Sequence, residues 1–315
     1  MKIYLNRKPV AGPWGGGNKT LSKLCDAIIA RGHELVFNLQ EGIDLIFCYD
    51  PRPDSSGVWY QNFINYKNNN PETRLIQRVG DVGTHSKPEL TQLLRQIIDI
   101  GTTDFFIFPS TWARQQIGHH SENFKVIQNR PLDVFYNHRS QKQLGDTIKI
   151  VTHHWSTNEK KGFVFYEQLY KFMKSNKVLE RQFELTYIGR YNSQYKHDGW
   201  NLLDPVDKIA LSQILSEHDI YLTASIEEAG ANHVLEAMAA GLPVIYHNDG
   251  GSISEYCKDY GIGYSSNKEF KLAIKKIVYD YENYKQNALR YNEKINTTID
   301  KYIQCIELYG KRKNE

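Results

Sequence analysis

Glu228-Ala229-Gly230-Ala231-Asn232-His233-Val234-Leu235-Glu236 places two carboxylates eight positions apart with small residues between them. Ahead of it, Ile220–Ser225 (I-Y-L-T-A-S) is apolar and rich in strand formers. Behind it, Val234–Ala240 favours helix, Gly241-Leu242-Pro243 stops that helix, and Val244–Tyr246 begins a second strand. The order is strand, tight loop, helix, strand. Asn232 is a natural helix N-cap, which would leave the backbone N–H groups of His233, Val234 and Leu235 without intrahelical acceptors and turned into the loop. Such an end suits an anion. With Glu228 closing the strand and Glu236 in the second helical turn, one carboxylate would lie on each side of the anion site. An extended ligand with hydroxyls at both ends and a diphosphate between them, the shape of a nucleotide sugar, would reach both.

An arbitrary E-x7-E pair is ordinarily two surface glutamates on a βα unit, so the neighbourhood decides. Ser225 stands ahead of the loop and Gly230 in it; Leu235-Glu236-Ala237-Met238-Ala239-Ala240-Gly241-Leu242-Pro243-Val244-Ile245 follows, then Gly250-Gly251 and Glu255. These residues, about thirty contiguous positions, resemble the Glu-x7-Glu signature of the retaining glycosyltransferases with the GT-B fold (family 4-like, group 1), relatives of glycogen and sucrose-phosphate synthases. The resemblance implies two doubly wound, Rossmann-like α/β domains facing each other across a cleft. It also implies transfer of a sugar from a nucleotide-diphosphate donor, with Glu228 on the sugar hydroxyls and Glu236 on those of the ribose.

Length and composition agree with a two-domain protein. The 315 residues suffice for two cores. A balance of 39 Lys+Arg to 36 Asp+Glu, net +3, is far from the basic profile of a nucleic-acid binder. Cys25, Cys48, Cys257 and Cys305 are widely spaced with no C-x-x-C, which indicates neither a disulfide framework nor a zinc site and fits a reducing, cytoplasmic setting. No stretch approaches the roughly eighteen apolar residues of a membrane span, and the N-terminus M-K-I-Y-L-N-R-K-P is a short strand rather than a signal core.

Along the chain, strands are expected at Lys2–Leu5, Glu34–Asn38, Leu45–Tyr49, Leu75–Val79, Phe105–Phe108, Thr147–Thr152 and Tyr187–Gly189, with helices between them. The first helix is expected from about Leu21 to Ala30, Tyr281–Thr298 as one helix, and Ile299–Tyr309 as the last. The loop A-G-P-W-G-G-G-N-K-T after the first strand has Gly12 and Gly17 four residues apart and Lys19-Thr20 behind them. Asn18 is one residue too many for a Walker motif, and G-x-G-x-x-G is absent. In the resembled family a glycine loop here lets the backbone approach the donor, a part that Gly15, Gly16 and Gly17 would take because a side chain would block the way. Asp81 and His85, in G-D-V-G-T-H at the carboxyl end of a strand, lie on the side where open α/β sheets bind ligands. The resemblance aims them at the donor sugar.

The polar run His138–Asp146 reads as a linker, giving an acceptor-side domain over 1–140 and a donor domain over 147–298. By resemblance, 299–315 crosses back onto the first domain. The segment from Lys125 to Phe135 resembles the element that closes the family's N-terminal domain, with Arg130-Pro131 where a glycine is usual. After Thr147–Thr152 the family carries an arginine and a lysine that neutralise the diphosphate. Lys161-Gly162 supplies the lysine, but His153-His154-Trp155-Ser156 stands where the arginine would be, so either one cation and more backbone donors hold the phosphate or Arg190 at the next strand end substitutes. Adjacent histidines on a strand point opposite ways, so His153 and His154 do not suggest a metal pair. The loop Leu203–Val206 is where the family holds the base.

The resemblance thus implies Lys161, Glu228, Asp81 and His85 as catalytic residues. Gly15–Gly17, Arg190, Gly230, Ala231, Asn232, His233, Val234, Leu235 and Glu236 would bind the donor, with no metal and no cofactor beyond it. The acceptor would be a sugar, glycan or glycoconjugate. Three other readings stay open: a non-catalytic nucleotide- or carbohydrate-binding relative, a nucleotide-sugar epimerase, and a P-loop phosphotransferase that would depend on Lys19 and magnesium.

Overall fold

The computed structural model describes residues 1–10, 16–140 and 142–310. The chain divides into two compact units, one formed by Met1–Asn129 together with the chain from Ile295, the other by Arg130–Lys294. The division falls ahead of the polar 138–146 run.

The first unit alternates β1 (Lys2–Leu5), α1 (Gly16–Ala30), β2 (Glu34–Val36), β3 (Leu45–Cys48), α2 (Tyr60–Asn69), β4 (Arg74–Arg78), α3 (Pro88–Ile100), β5 (Phe105–Phe108), α4 (Thr111–Gln116) and β6 (Phe124–Val126). Its described strands make a six-stranded sheet in the order β2-β1-β3-β4-β5-β6, each pair parallel. Leu45–Cys48 and Phe105–Phe108 are buried throughout, as expected of strands covered on both faces. Ser110 caps α4, its side chain accepting from the Ala113 N–H.

The second unit follows with α5 (Val134–Asn137), β7 (Thr147–His154), a 3-10 turn (Glu159–Lys161), α6 (Phe163–Ser175), β8 (Gln182–Gly189), β9 (Trp200–Leu203) and α7 (Lys208–Ser216). After these come β10 (Ile220–Thr223), α8 (Asn232–Ala239), β11 (Val244–His247), α9 (Ser252–Cys257), β12 (Gly261–Tyr264), α10 (Asn267–Tyr279) and α11 (Tyr281–Arg290). Its described strands order as β12-β11-β10-β7-β8-β9, again all parallel. The period of two along each strand splits the core. Val151, Tyr221 and Val244 join α7, α8 and α9 on one face, while Ile150, Ile220, Leu222 and Ile245 join α6 and α10 on the other. The strand order reverses between β10 and β7, so their carboxyl ends border the crevice where open α/β sheets take ligands.

The helix expected over Tyr281–Thr298 is two helices. α11 ends at Arg290, and α12 (Ile295–Tyr309) starts anew within the first unit. No proline or glycine marks the break. Arg139 makes it: its guanidinium donates to the carbonyls of Leu289 (2.8 Å) and Tyr291 and, at 3.0 Å, to that of Ala239, tying the ends of α11 and α8 together. In the first unit, Tyr309 of α12 stacks on Phe105 with centroids 3.7 Å apart, and the Tyr302 hydroxyl accepts from Arg78 Nε at 3.2 Å. All four cysteines are free and buried. Among the described residues no helix is long and apolar enough to cross a membrane.

Candidate functional site

The loop from β10 to α8 is held from two sides. Lys160 on the 3-10 turn accepts through its carbonyl from Ile226 N (2.9 Å), with Ser225 Oγ 3.3 Å from the same oxygen. The Gly250-Gly251 segment pairs with Glu228 in a parallel bridge, and Ser252 N donates to the Glu228 carbonyl at 2.8 Å. Gly162 makes the first contact possible. At φ +90 its backbone passes so close to β10 that a Cβ there would lie 2.4 Å from Ala224 Cβ. The result brings Lys161 onto Glu228: their side chains are ion-paired, 12% and 13% exposed, and Ser225 Oγ donates to the same Glu228 oxygen at 2.6 Å.

Glu236 is in the second turn of α8, 5% exposed, with both carboxylate oxygens engaged. Oε2 accepts from His153 Nε2 at 3.0 Å and Oε1 from Lys208 Nζ at 2.6 Å. Burial works against its charge, yet the Lys208 ammonium and the His153 hydrogen bond hold its carboxyl down at about 2. His153, at the end of β7, is kept neutral: burial lowers it further than Glu236 raises it. His233 is the meeting point. Burial lowers it to about 3, and it feels the charges of Glu228, Lys161 and Glu236 together. The two carboxylates eight positions apart therefore share one neighbourhood, each with a lysine.

Two expectations change in detail. Asn232 is not the cap: Ala231 is, and its own N–H donates to Ser252 Oγ at 3.0 Å. The orphan N–H groups of the helix start are consequently those of Asn232, His233 and Val234, while Leu235 N–H is spent inside the helix. The side chains of Val234 and Leu235 are core, 0% and 1% exposed, so only backbone could serve a ligand there. Glu228 does not close the strand. β10 ends at Thr223 and Glu228 stands in the loop beyond it.

Elsewhere, Arg190 follows β8 and is exposed, its backbone N–H on the His154 carbonyl at 3.1 Å. The two histidines diverge as a strand requires. His153 turns to Glu236 and His154 to Tyr166, with Nε2 3.1 Å from the hydroxyl. In the first unit, Gly16 and Gly17 form the start of α1 rather than a loop before Leu21, and Gly15 lies outside the described residues. Space beside Gly17 is open, with no atom within 4 Å of a built Cβ. Asp81 accepts from Gly83 N at 3.0 Å and pairs with Lys87 at 2.8 Å, and it is held below the usual carboxylate range by that lysine against the cost of burial. His85 lies in the same loop. Lys208 and His153 as partners of Glu236 were not foreseen. They come from 28 and 83 positions away, and their only sequence signals were a helix start and a doubled histidine.

The sequence profile of the family described as "Glycosyl transferases group 1" matches residues 166–294, most of the second unit. The fold is the GT-B fold of glycosyltransferases, and profile and fold together support a glycosyltransferase. Among solved structures, Anabaena Alr3699/HepE, determined in complex with UDP, superposes with a TM-score of 0.69 at 15% identity over 98% of this chain and 100% of that one. Sucrose-phosphate synthase from Thermosynechococcus elongatus gives 0.64 at 13% identity, over 98% of each chain. WaaG, a glycosyltransferase involved in lipopolysaccharide biosynthesis, gives 0.63 at 14% identity over 97% and 99%. No curated protein matches the chain in sequence.

Proposed function

We propose that the protein is a retaining glycosyltransferase that moves a sugar from a nucleotide-diphosphate sugar to a sugar, glycan or glycoconjugate acceptor without a metal ion. The observation that carries this reading is the paired arrangement at the sheet's switch point. Glu228 with Lys161, and Glu236 with His153 and Lys208, flank the start of α8 and converge on His233. Anabaena HepE, of the same fold, was determined with UDP and with UDP and glucose, a ligand of the size and charge order this arrangement suits.

In this reading the leaving diphosphate meets Lys161, the N–H groups of Asn232–Val234, and Arg190 in place of the absent arginine. Preorganised donors of this kind can each contribute roughly 3–4 kcal/mol. Glu228 takes sugar hydroxyls and Glu236 the ribose hydroxyls. Each carboxylate has lone pairs left over from its lysine, since two oxygens offer about four acceptor positions. Gly15, Gly16 and Gly17 keep their assignment to the donor, and Asp81 and His85 theirs to the sugar. The bond from the anomeric carbon to the diphosphate oxygen breaks as the acceptor oxygen bonds to that carbon on the same face. The acceptor proton passes to the departing phosphate, so Glu228 orients and forms no bond to carbon.

Thermal unfolding against UDP, GDP, dTDP and ADP and their sugars, with and without chelator, tests this. A nucleotide that binds only the folded state adds about 2.7 kcal/mol at a hundredfold excess over its Kd. A chelator-insensitive rise lost in Glu236→Ala and Lys161→Ala is expected, followed by transfer with retained anomeric configuration. Binding without any transfer would leave a non-catalytic binding protein. A rise seen only with ATP and magnesium and dependent on Lys19 would replace the reading with a phosphotransferase.

A further inference from the structure

His153 has one nitrogen to spare. Its Nε2 faces Glu236, and an ionised carboxylate only accepts, so Nε2 carries the proton and Nδ1 presents a bare lone pair. The ring is 2% exposed, and Nδ1 is buried with no hydrogen-bond partner. A buried acceptor left unmade is a standing cost that the fold tolerates here. His153 lines a narrow cavity in the second unit whose other walls include His154, Trp155, Ile188, Pro205, Val206 and Leu211. These walls are flat or aliphatic.

Trp155 is the wall that can yield: it is 37% exposed, with the Lys208 ammonium 5.8 Å from its ring centroid. The same ammonium holds Glu236, so cavity and carboxylate are joined through one side chain. An aromatic and aliphatic slot of about 10 Å³ with a single orphan acceptor, next to a carboxylate assigned to ribose, has room for one hydrogen-bonding group at the edge of a nucleoside and not for the nucleoside itself.

We infer that His153 is a recognition residue of the donor site, whose Nδ1 accepts a hydrogen bond from a hydrogen-bearing group of the donor's nucleoside, a base N–H or a ribose hydroxyl. The inference rests on the nucleotide-sugar reading above and adds to it a named acceptor. Binding the donor would satisfy an atom that no described protein group satisfies. Affinity is thereby linked to one removable hydrogen on the ligand.

The test is a cycle between protein and ligand, read by titration calorimetry. The nucleoside diphosphate that binds best among UDP, dTDP, GDP, CDP and ADP is compared with two analogues. One is methylated at the hydrogen-bearing base nitrogen and the other lacks a ribose hydroxyl; each is measured on the native chain and on His153→Phe. One analogue is expected to bind the native chain about tenfold or more weakly. The same analogue should lose far less against its parent on His153→Phe. The base arm and the ribose arm distinguish the two sources of the hydrogen. Full-strength binding of both analogues to the native chain would overturn the inference while leaving the glycosyltransferase reading intact. Failure of every nucleoside diphosphate to bind would remove both. The native-chain comparison stands even if His153→Phe does not fold.

Discussion

Lys161 and Glu228, 67 positions apart, form an ion pair whose side chains are 12% and 13% exposed, closed over by Ser225. Breaking such a pair from one side strands the other charge, which costs roughly 3 kcal/mol or more, whereas replacing both partners is far milder. Lys161→Met should therefore lower the unfolding free energy strongly, and Lys161→Met with Glu228→Gln should recover most of the loss. Neither variant should transfer sugar. Denaturant unfolding beside a transfer assay separates the two effects. A double variant no more stable than Lys161→Met would mean that the pair is not the unit described.

Glu236 depends on Lys208 for its ionisation. In Lys208→Met the burial cost of the carboxylate is no longer opposed by the ammonium, so its carboxyl should rise from about 2 toward or above the ordinary range. Donor KM should increase about tenfold near neutral pH, with kcat changed less, as expected when uniform binding is lost. Lys208→Arg should retain much of the affinity. An unchanged donor KM in Lys208→Met would detach Lys208 from the donor.

The parallel strands were legible because they are continuous apolar runs bounded by turn residues, and the Glu-x7-Glu neighbourhood because strand, loop, helix and stop follow one another within thirty residues. What escaped reading is long-range. The break after Arg290 is written in Arg139, about 150 positions upstream, and not in any local breaker. The second cation beside Glu236 is Lys208, which by sequence only opens a helix. At Asn232 the residue type was right for a cap, but Ser252 reaches Ala231 from the next helix and the helix begins one position earlier. The glycines before Asn18 suggested a loop to Leu21, whereas Gly16 and Gly17 already lie within the helix.

Histidine burial makes the fold acid-sensitive. His153, His218 and His233 are all lowered by burial, so below the unfolded value of about 6.5 the unfolded chain binds protons that the folded one refuses. Stability is complete above that value and falls with pH down to each folded value, for His233 about 3. Over the 1.5 units from 6.5 to pH 5, His233 alone accounts for roughly 2 kcal/mol. Urea midpoints taken from pH 7.5 to 5 should fall, and His233→Gln should flatten the slope. A midpoint constant over that range would count against these histidines being neutral.

Lys285 works in the alkaline direction. Its Nζ is buried without a hydrogen-bond partner, and burial lowers it from 10.5 to about 8 against the pull of Asp219. Stability should rise as pH goes from about 8 toward 10, where the unfolded chain still holds the proton and the folded chain has released it. The drop from 10.5 to about 8, in which the Asp219 attraction is already counted, sets an upper limit of roughly 3 kcal/mol. Lys285→Met should thus be a stabilised protein at pH 7 with unaltered transfer, and a lower midpoint than the native chain would exclude the unpaired ammonium as a source of strain.

Gly162 ties Lys161 to the sheet. At φ +90, an added Cβ would meet Ala224 Cβ at 2.4 Å and the Ala224 carbonyl oxygen at 2.6 Å, both parts of β10's extension that cannot swing aside like a flexible side chain. Gly162→Ala must therefore push the 3-10 turn outward, carrying Lys161 off Glu228 and loosening the bond from Ile226 to the Lys160 carbonyl. A displacement of about 1 Å at a positioned group can cost a hundredfold in rate. Loss of kcat by about that factor is expected together with a stability loss of roughly 2–3 kcal/mol, from overpacking and from the left-handed backbone. Gly118, at φ +74 with no atom within 4 Å of a built Cβ, is the control for the backbone effect by itself. Gly118→Ala should lose about 1 kcal/mol and keep full activity. Equal kcat losses in the two variants would show that the close approach of Gly162 to Ala224 has no special bearing on Lys161.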